Sequence, residues 1–311
     1  MHNSRTDLPH RSRCPQRLRR TPRRLLRGGL GAALCAALTI GAAVQAEAAP
    51  VRNKPTREAA AVGITAAGGG YAGWAVKRQQ LLHPQSKTTK SIAPQSASVT
   101  PMISSSYVLG IDVASYQGNV NWSSWWSKGK KFAYVKATEG TSYRNPYFSQ
   151  QYTGSYKVGM VRGAYHFARP DSKDASDQAA YFVKHGGGWS ADGRTLPGAL
   201  DIEDNYTGGD RCWGRGKSGN ALYIKNFSDT YHSLTGRWPV IYTNLSFWKA
   251  CVASTAFSGK SPLWIAYWSS NQPSSLIGGW NYWTFWQYSG SGTDLDAFSA
   301  SLTRLKVLAK G

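Results

Sequence analysis

Between residues 108 and 288 seven short apolar runs recur, rich in β-branched and aromatic residues: 108–113, 132–137, 160–167, 199–203, 240–243, 263–267 and 283–288. Each is too short for a core helix and reads as a buried strand. Stretches long enough for a helix lie between them. Asn145-Pro146-Tyr147-Phe148 opens one, residues 174–185 carry Ala179, Phe182 and Val183 on one face, and residues 219–234 form a third. Strand alternating with helix builds parallel βαβ units. Seven or eight such units predict an α/β fold closed into a (β/α) barrel of the TIM-barrel-like type. An open doubly wound sheet is the alternative. Polar groups close several strands: Asp112 in the first, Glu139 just after the second, His166 in the third, Asp201 and Glu203 in the fourth. Barrels assemble their sites at the C-terminal ends of their strands, so this pattern favours the barrel. About 205 residues is short for that fold, so some helices must be short or missing.

The fourth run is the most informative. Residues i and i+2 of a strand point to the same face, so Asp201 and Glu203 stand side by side. Residues 107–311 hold only two glutamates, Glu139 and Glu203, and burying a carboxylate is costly without a partner or a role. Two adjacent carboxyls at the edge of an apolar core suit hydrolysis of a glycosidic bond. One stays protonated to donate to the leaving oxygen while the other stays ionised. A strand end that merely exposes two solvated acids is the bland alternative. Asp112, inside its own buried run, also needs a partner or a role. Lys136 and Glu139 are placed to pair with each other and read as structural.

Residues 1–46 carry nine arginines, then an uncharged Ala-rich stretch and small residues at Val44-Gln45-Ala46 and Ala46-Glu47-Ala48. That is the layout of a secretory signal peptide, with cleavage after Ala46 or Ala48 and no stable membrane anchoring. Residues 47–106 are rich in Ala, Gly, Ser, Thr, Pro and Gln, are broken by Gly68-Gly69-Gly70, and read as a disordered linker. Residues 107–311 are expected to form one domain. The net charge of the chain is +21, but the domain, with 21 basic and 13 acidic residues, contributes only +8 of it. This basic balance suits a polyanionic surface. Export favours anionic cell-wall polymers over nucleic acid, for which no specific reader is visible. Cys14 and Cys35 fall in the targeting region, which leaves Cys212 and Cys251 as one pair in an oxidising compartment, expected as a disulfide. Neither has a histidine at metal-ligand spacing, and no zinc motif, nucleophile elbow or complete phosphate loop occurs, so no metal or cofactor is expected.

Gly110-Ile111-Asp112-Val113, Tyr165-His166-Phe167, Leu200-Asp201-Ile202-Glu203, Trp286-Gln287-Tyr288 and Thr293-Asp294-Leu295-Asp296-Ala297-Phe298 occur in this order. The order resembles the family 25 glycoside hydrolases, secreted lysozymes that act as N-acetylmuramidases. The resemblance implies an irregular, flattened (β/α) barrel. It implies cleavage of the β-1,4 bond between N-acetylmuramic acid and N-acetylglucosamine in peptidoglycan glycan strands. It assigns Glu203 as proton donor, Asp201 as the group that orients the substrate's 2-acetamido group, and Asp112 and Asp294 as further site acids. Tyr165, Tyr242, Tyr267 and Trp286 are its expected groove-lining aromatics. The departure at Asp296, where many members have Asn, puts little in doubt. A secreted or wall-associated monomer is the corresponding expectation. A chitinase-like glycosidase and a non-catalytic wall-sugar-binding barrel are the rival readings.

Overall fold

The computed structural model of the chain describes residues 54–82, 107–290 and 292–311. The expected signal peptide over 1–46 lies outside them, as do Cys14 and Cys35. Nine strands form one sheet: β1 Val108–Val113, β2 Phe132–Glu139, β3 Tyr143–Arg144, β4 Val161–Phe167, β5 Ala199–Asp201, β6 Val240–Asn244, β7 Leu263–Ala266, β8 Phe285–Ser289 and β9 Asp294–Phe298. Their order is β1-β9-β8-β7-β6-β5-β4-β2-β3, and β1 also pairs with β2. That pairing closes eight strands into a barrel, with β3 appended as a short hairpin partner of β2. Closure excludes the open doubly wound sheet. Six pairings are parallel, from β1 through β2 and β4 to β8. Strand β9 runs antiparallel to both β8 and β1 and has no helix before it. Like the two-residue β3, it is a strand the apolar-run pattern does not show, here because Asp294 and Asp296 interrupt its hydrophobicity.

Helices clothe the first half of the barrel more than the second. They are α1 Arg57–Ala61, α2 Trp74–Leu82, α3 Trp122–Ser127, α4 Phe148–Lys157, α5 Ala175–Phe182, α6 Gly216–Thr235, α7 Leu245–Phe247 and α8 Leu302–Lys310. The side chain of Asn121 caps α3 by accepting from the Ser124 N–H at 3.0 Å. Helix α6 stops at Gly236, whose φ of 74° makes the left-handed turn that returns its N–H to the His232 carbonyl. No helix of the described residues is long and apolar enough to cross a membrane.

Period-2 alternation sorts the strand residues into two cores. Inward side chains, among them Phe132, Tyr134, Tyr165, Ala199, Tyr242, Trp264, Phe285 and Phe298, fill the barrel. Outward ones, such as Leu200, Ile202, Ile241, Leu263, Ile265 and Trp286, pack with Phe182, Ile224, Phe227 and other residues of the surrounding layer. The barrel floor is aromatic: Tyr134 stacks on Trp264 at 4.7 Å between ring centroids and meets Phe285 edge-on at 5.4 Å. Gly163 makes room for this, since a Cβ there would stand 2.3 Å from the Tyr134 ring. His166 points outward. It is buried between Phe182 and Phe227 and hydrogen-bonded to Thr138 and Gln178, so it is structural rather than catalytic.

The expectation of a disordered linker over 47–106 does not hold for residues 54–82. These fold into α1, α2 and a connecting loop that lies on the barrel, burying Ala59, Val62, Ile64, Tyr71, Ala72, Trp74 and Ala75. The segment has no core of its own. Its apolar residues are spaced irregularly because they fit a pre-existing surface, so no period betrays them.

Cys212 and Cys251 are bonded, with Cα atoms 5.1 Å apart. The bridge ties the loop before α6 to the turn Trp248–Val252, and the Asn220 side chain donates to both cysteine carbonyls. Closing a loop of 39 residues stabilises by about 4 kcal/mol in the chain-entropy model. Replacing both cysteines by alanine should therefore lower unfolding free energy by about 2–4 kcal/mol in urea titration, and reductant should do the same to the native chain. Unchanged midpoints in both experiments would remove the bridge from the stability account.

Candidate active site

The C-terminal mouth of the barrel gathers the acids. Strand β5 presents Asp201 inward at its last residue, and Glu203 follows on the same face; both are buried. Asp112, inward on β1, lies opposite Asp294 in the register with β9, and Asp296 is the next inward residue of β9. All five carboxyls are at most 5 % exposed. The antiparallel turn of β9 into the barrel therefore brings two further acids beside the pair on β5.

Polar side chains from neighbouring strands hold this cluster. Gln287 on β8 donates to Asp112 Oδ2 at 2.9 Å, while its carbonyl oxygen accepts from the Tyr242 hydroxyl at 2.9 Å and from Trp268 Nε1 at 2.8 Å. The Trp264 indole donates to Asp296 Oδ1 at 2.9 Å. Among the described residues no N–H donates to either oxygen of Asp201. Glu203 accepts from two backbone amides of the N-terminal segment, Gly73 N–H at 3.1 Å and Ala75 N–H at 3.2 Å. The Trp213 indole fixes the strand end by donating to the Glu203 carbonyl at 2.7 Å.

Burial governs how these groups titrate. Burial first, then the Asp201 charge, pushes the Glu203 carboxyl well above its ordinary value, and the Ala75 and Gly73 amides oppose the rise. Burial also raises Asp201 well above the usual carboxylate range. The Lys136 charge opposes that rise, and Asp112 and Glu139 add to it. Asp112 is pushed up to about 7 by burial, held from going further by hydrogen bonds to Gln287 and Asp296. Asp294 and Asp296 are raised well above the usual range, by burial first and then by the Asp112 charge. Lys136 and Glu139 form the buried pair expected of them, Nζ to Oε2 at 2.6 Å, with Arg169 3.5 Å from the other Glu139 oxygen.

The expected aromatics divide. Tyr165 and Tyr242 point into the mouth, Tyr165 as an acceptor from the Ala72 N–H at 3.5 Å and Tyr242 as a donor to Gln287. Tyr267 sits at the rim, 39 % exposed. Trp286 does not line the mouth. It is 1 % exposed on the outer face of β8, packed edge-on against Trp283 and Tyr288, with its indole donating to the Tyr267 carbonyl. The strand alternation that turns Trp286 outward turns Gln287 inward. Counting that period from Asp294 and Asp296 on the paired strand is the signal that singles out Gln287 and raises Asp296 from a departure to a member of the cluster. Trp268, beyond β7, has no such signal. No group of three His, Cys, Asp or Glu residues suited to a metal ion occurs among the described residues.

A closed α/β barrel with paired carboxyls at the end of a strand is an arrangement that suits a glycoside hydrolase. Residues 111–296 match the model of the family "Glycosyl hydrolases family 25", and the chain belongs to that family, whose members are lysozymes. It is similar to Lysozyme M1 of Streptomyces globisporus, 40 % identical over 299 residues that cover 93 % of this chain and 95 % of the relative. It is also similar to the N,O-diacetylmuramidase of Chalaropsis sp, 45 % identical over 66 % of this chain and 100 % of the relative. Among solved structures, the bacterial lysozyme from Streptomyces coelicolor superposes with a TM-score of 0.64 at 44 % identity, covering 67 % of this chain and 99 % of that one. These last two matches each cover about two thirds of this chain, whereas the Streptomyces globisporus match covers 93 % of it.

A carboxyl raised in the folded chain keeps a proton that the unfolded chain has lost, so its stabilising contribution is full below the unfolded value and fades as pH rises through the folded one. For Asp112 that window runs from its ordinary 3.8 to about 7. The buried His166, lowered from 6.5 to about 4, acts in the opposite sense over its own window. Five raised carboxyls oppose one buried imidazole and the partly exposed His185, which is also lowered. The thermal midpoint should therefore fall between pH 5 and pH 8, and Asp112→Asn should flatten the fall. A midpoint that rises over this range, or an unchanged slope in the variant, would contradict the buried-acid geometry.

Proposed function

We propose that the chain hydrolyses the β-1,4 bond between N-acetylmuramic acid and N-acetylglucosamine with Glu203 as general acid. The observation that carries this reading is the pair at the end of β5: two buried carboxyls side by side at the barrel mouth, Glu203 raised by its burial and then by the charge of Asp201. A protonated Glu203 donates its proton to the leaving glycosidic oxygen as the anomeric bond breaks. Asp201, whose buried oxygens accept from no N–H among the described residues, receives the N–H of the substrate's 2-acetamido group. So held, the acetamido oxygen attacks the anomeric carbon and forms a cyclic oxazolinium. Water then opens it, passing a proton back to Glu203, and the product keeps its anomeric configuration. Asp112, the member that ionises near neutrality, supplies negative potential around the developing positive charge, with Asp294 beside it, and Gln287, held in turn by Tyr242, fixes Asp112 in place.

The same reading makes peptidoglycan glycan strands the substrate and places the enzyme outside the cell or in the wall as a monomer. Its basic surface would meet anionic wall polymers, an attraction that salt screens. No cofactor has a role in this chemistry.

Glu203→Gln keeps the shape of the side chain and removes the proton. In residues 107–311, turnover on purified walls should fall by about 10²- to 10⁴-fold while glycan binding persists. The appearance of new reducing ends, followed by mass spectrometry, measures it. Asp201→Asn should be nearly as damaging and should move the alkaline limb of kcat/KM to lower pH, because the neighbouring charge that raises Glu203 is gone. A folded, fully active Glu203→Gln variant would overturn the assignment of the acid. An active Asp201→Asn variant with an unmoved limb would refute the acetamido role of Asp201.

A further inference from the structure

The segment 54–82 does more than lie on the barrel. Its loop runs through the mouth and engages the site residues one after another. The Gly68 N–H donates to the Tyr206 hydroxyl at 3.2 Å, and the Gly68 carbonyl accepts from Lys136 Nζ at 2.9 Å. The Tyr116 hydroxyl donates to the Gly69 carbonyl at 2.6 Å, and the Gly70 carbonyl is a second acceptor for Lys136. Ala72 gives its N–H to Tyr165 and accepts from Gln287 Nε2 at 3.3 Å. Gly73 and Ala75 then close on the two oxygens of Glu203. Trp74 is 1 % exposed and meets the Tyr206 ring edge-on at 6.0 Å.

Glycine makes this approach possible. A Cβ on Gly70 would stand 2.8 Å from the Phe167 ring. At Gly73 it would meet Gln287 Oε1 at 2.6 Å, and the φ of +94° there strains any other residue. The backbone therefore sits where a sugar ring would have to sit. Two amide donors, one on each Glu203 oxygen, also occupy the atoms that would face the glycosidic oxygen, and they oppose the rise in the Glu203 carboxyl without reversing it.

We infer that residues 54–82 are an intramolecular plug that occupies the glycan site and keeps the enzyme inactive until the segment is cut from the barrel or displaced. This rests on the proposed catalytic role of the barrel mouth. About two thirds of this chain matches nearly the whole length of a protein named N,O-diacetylmuramidase and of a solved lysozyme chain, a share close to that of residues 107–311 alone, which is what a barrel that folds without the segment would give. The occupied groups Glu203, Tyr165 and Gln287 are those of the site itself rather than of a neutral surface. A specific-protease sequence placed between Lys90 and Ser106 gives a way to cut the full chain at will.

A plug engaged 99 % of the time lowers apparent activity about a hundredfold. Release of soluble fragments from purified walls should thus rise by about that factor when the full chain is cut and the segment separated. Trp74→Asp, which cannot be buried against Tyr206, should give a comparable rise without cutting. A synthetic peptide of residues 54–82 should bind residues 107–311 in calorimetry and be competed off by soluble wall glycans. Equal activity before and after cutting, with peptide binding that glycans do not compete, would overturn the plug. Because the peptide competition needs no turnover, it decides the plug even if residues 107–311 prove inert on walls, a failure that would instead strike the catalytic reading.

Discussion

Five carboxyl groups are buried in one barrel mouth, and that burial, reinforced by repulsion among them, decides what the site can do. Like charges at close range in a low-dielectric environment cannot all ionise. Protons are therefore retained on Asp294, Asp296 and the Asp201–Glu203 pair at pH values where isolated acids would have lost them. Asp112, steadied by Gln287, is the member that ionises near neutrality. A glycosidase needs this separation of roles, a proton held ready beside negative charge. The aromatic floor of Tyr134, Trp264 and Phe285 keeps water from relaxing it.

The closure of the barrel supplies the cluster. Without β9 inserted antiparallel between β8 and β1, Asp294 and Asp296 would not face Asp112. Strand β9 also brings no helix with it, which helps to explain how a chain of this length closes eight strands. The helices that remain lie mainly on the side built first, while the Cys212–Cys251 bridge braces the irregular connection between β6 and β7 to the start of α6.

Much of this architecture is legible in the amino-acid sequence. Apolar runs place seven of the nine strands, and the i, i+2 rule puts Asp201 and Glu203 on one inward face. The same rule, applied to Trp286, sends it outward and Gln287 inward; taking that aromatic as groove-lining follows the motif rather than the alternation. Strand β9 escapes the run pattern because its inward residues are acids, and two-residue β3 carries too little pattern to see. The segment 54–82 is illegible for a different reason. A strand or helix that buries a face against its own neighbours shows a period, whereas Ile64, Tyr71 and Trp74 fill hollows of a surface made elsewhere in the chain. Glycines at 68–70 and 73, which composition counts as linker residues, are there for close approach.

The central claim is that Glu203 is a proton-holding acid made so by burial and by Asp201. The chain has only four glutamates, Glu47, Glu58, Glu139 and Glu203, so carboxyl ¹³C NMR of glutamate-labelled protein resolves each one. Opposing shifts are predicted for the two buried residues. Glu203 should titrate well above 4.5, and Glu139 below it, since the Lys136 and Arg169 charges outweigh the cost of its burial. A Glu203 signal that titrates at or below the ordinary value, in folded protein with Asp201 intact, would contradict the account.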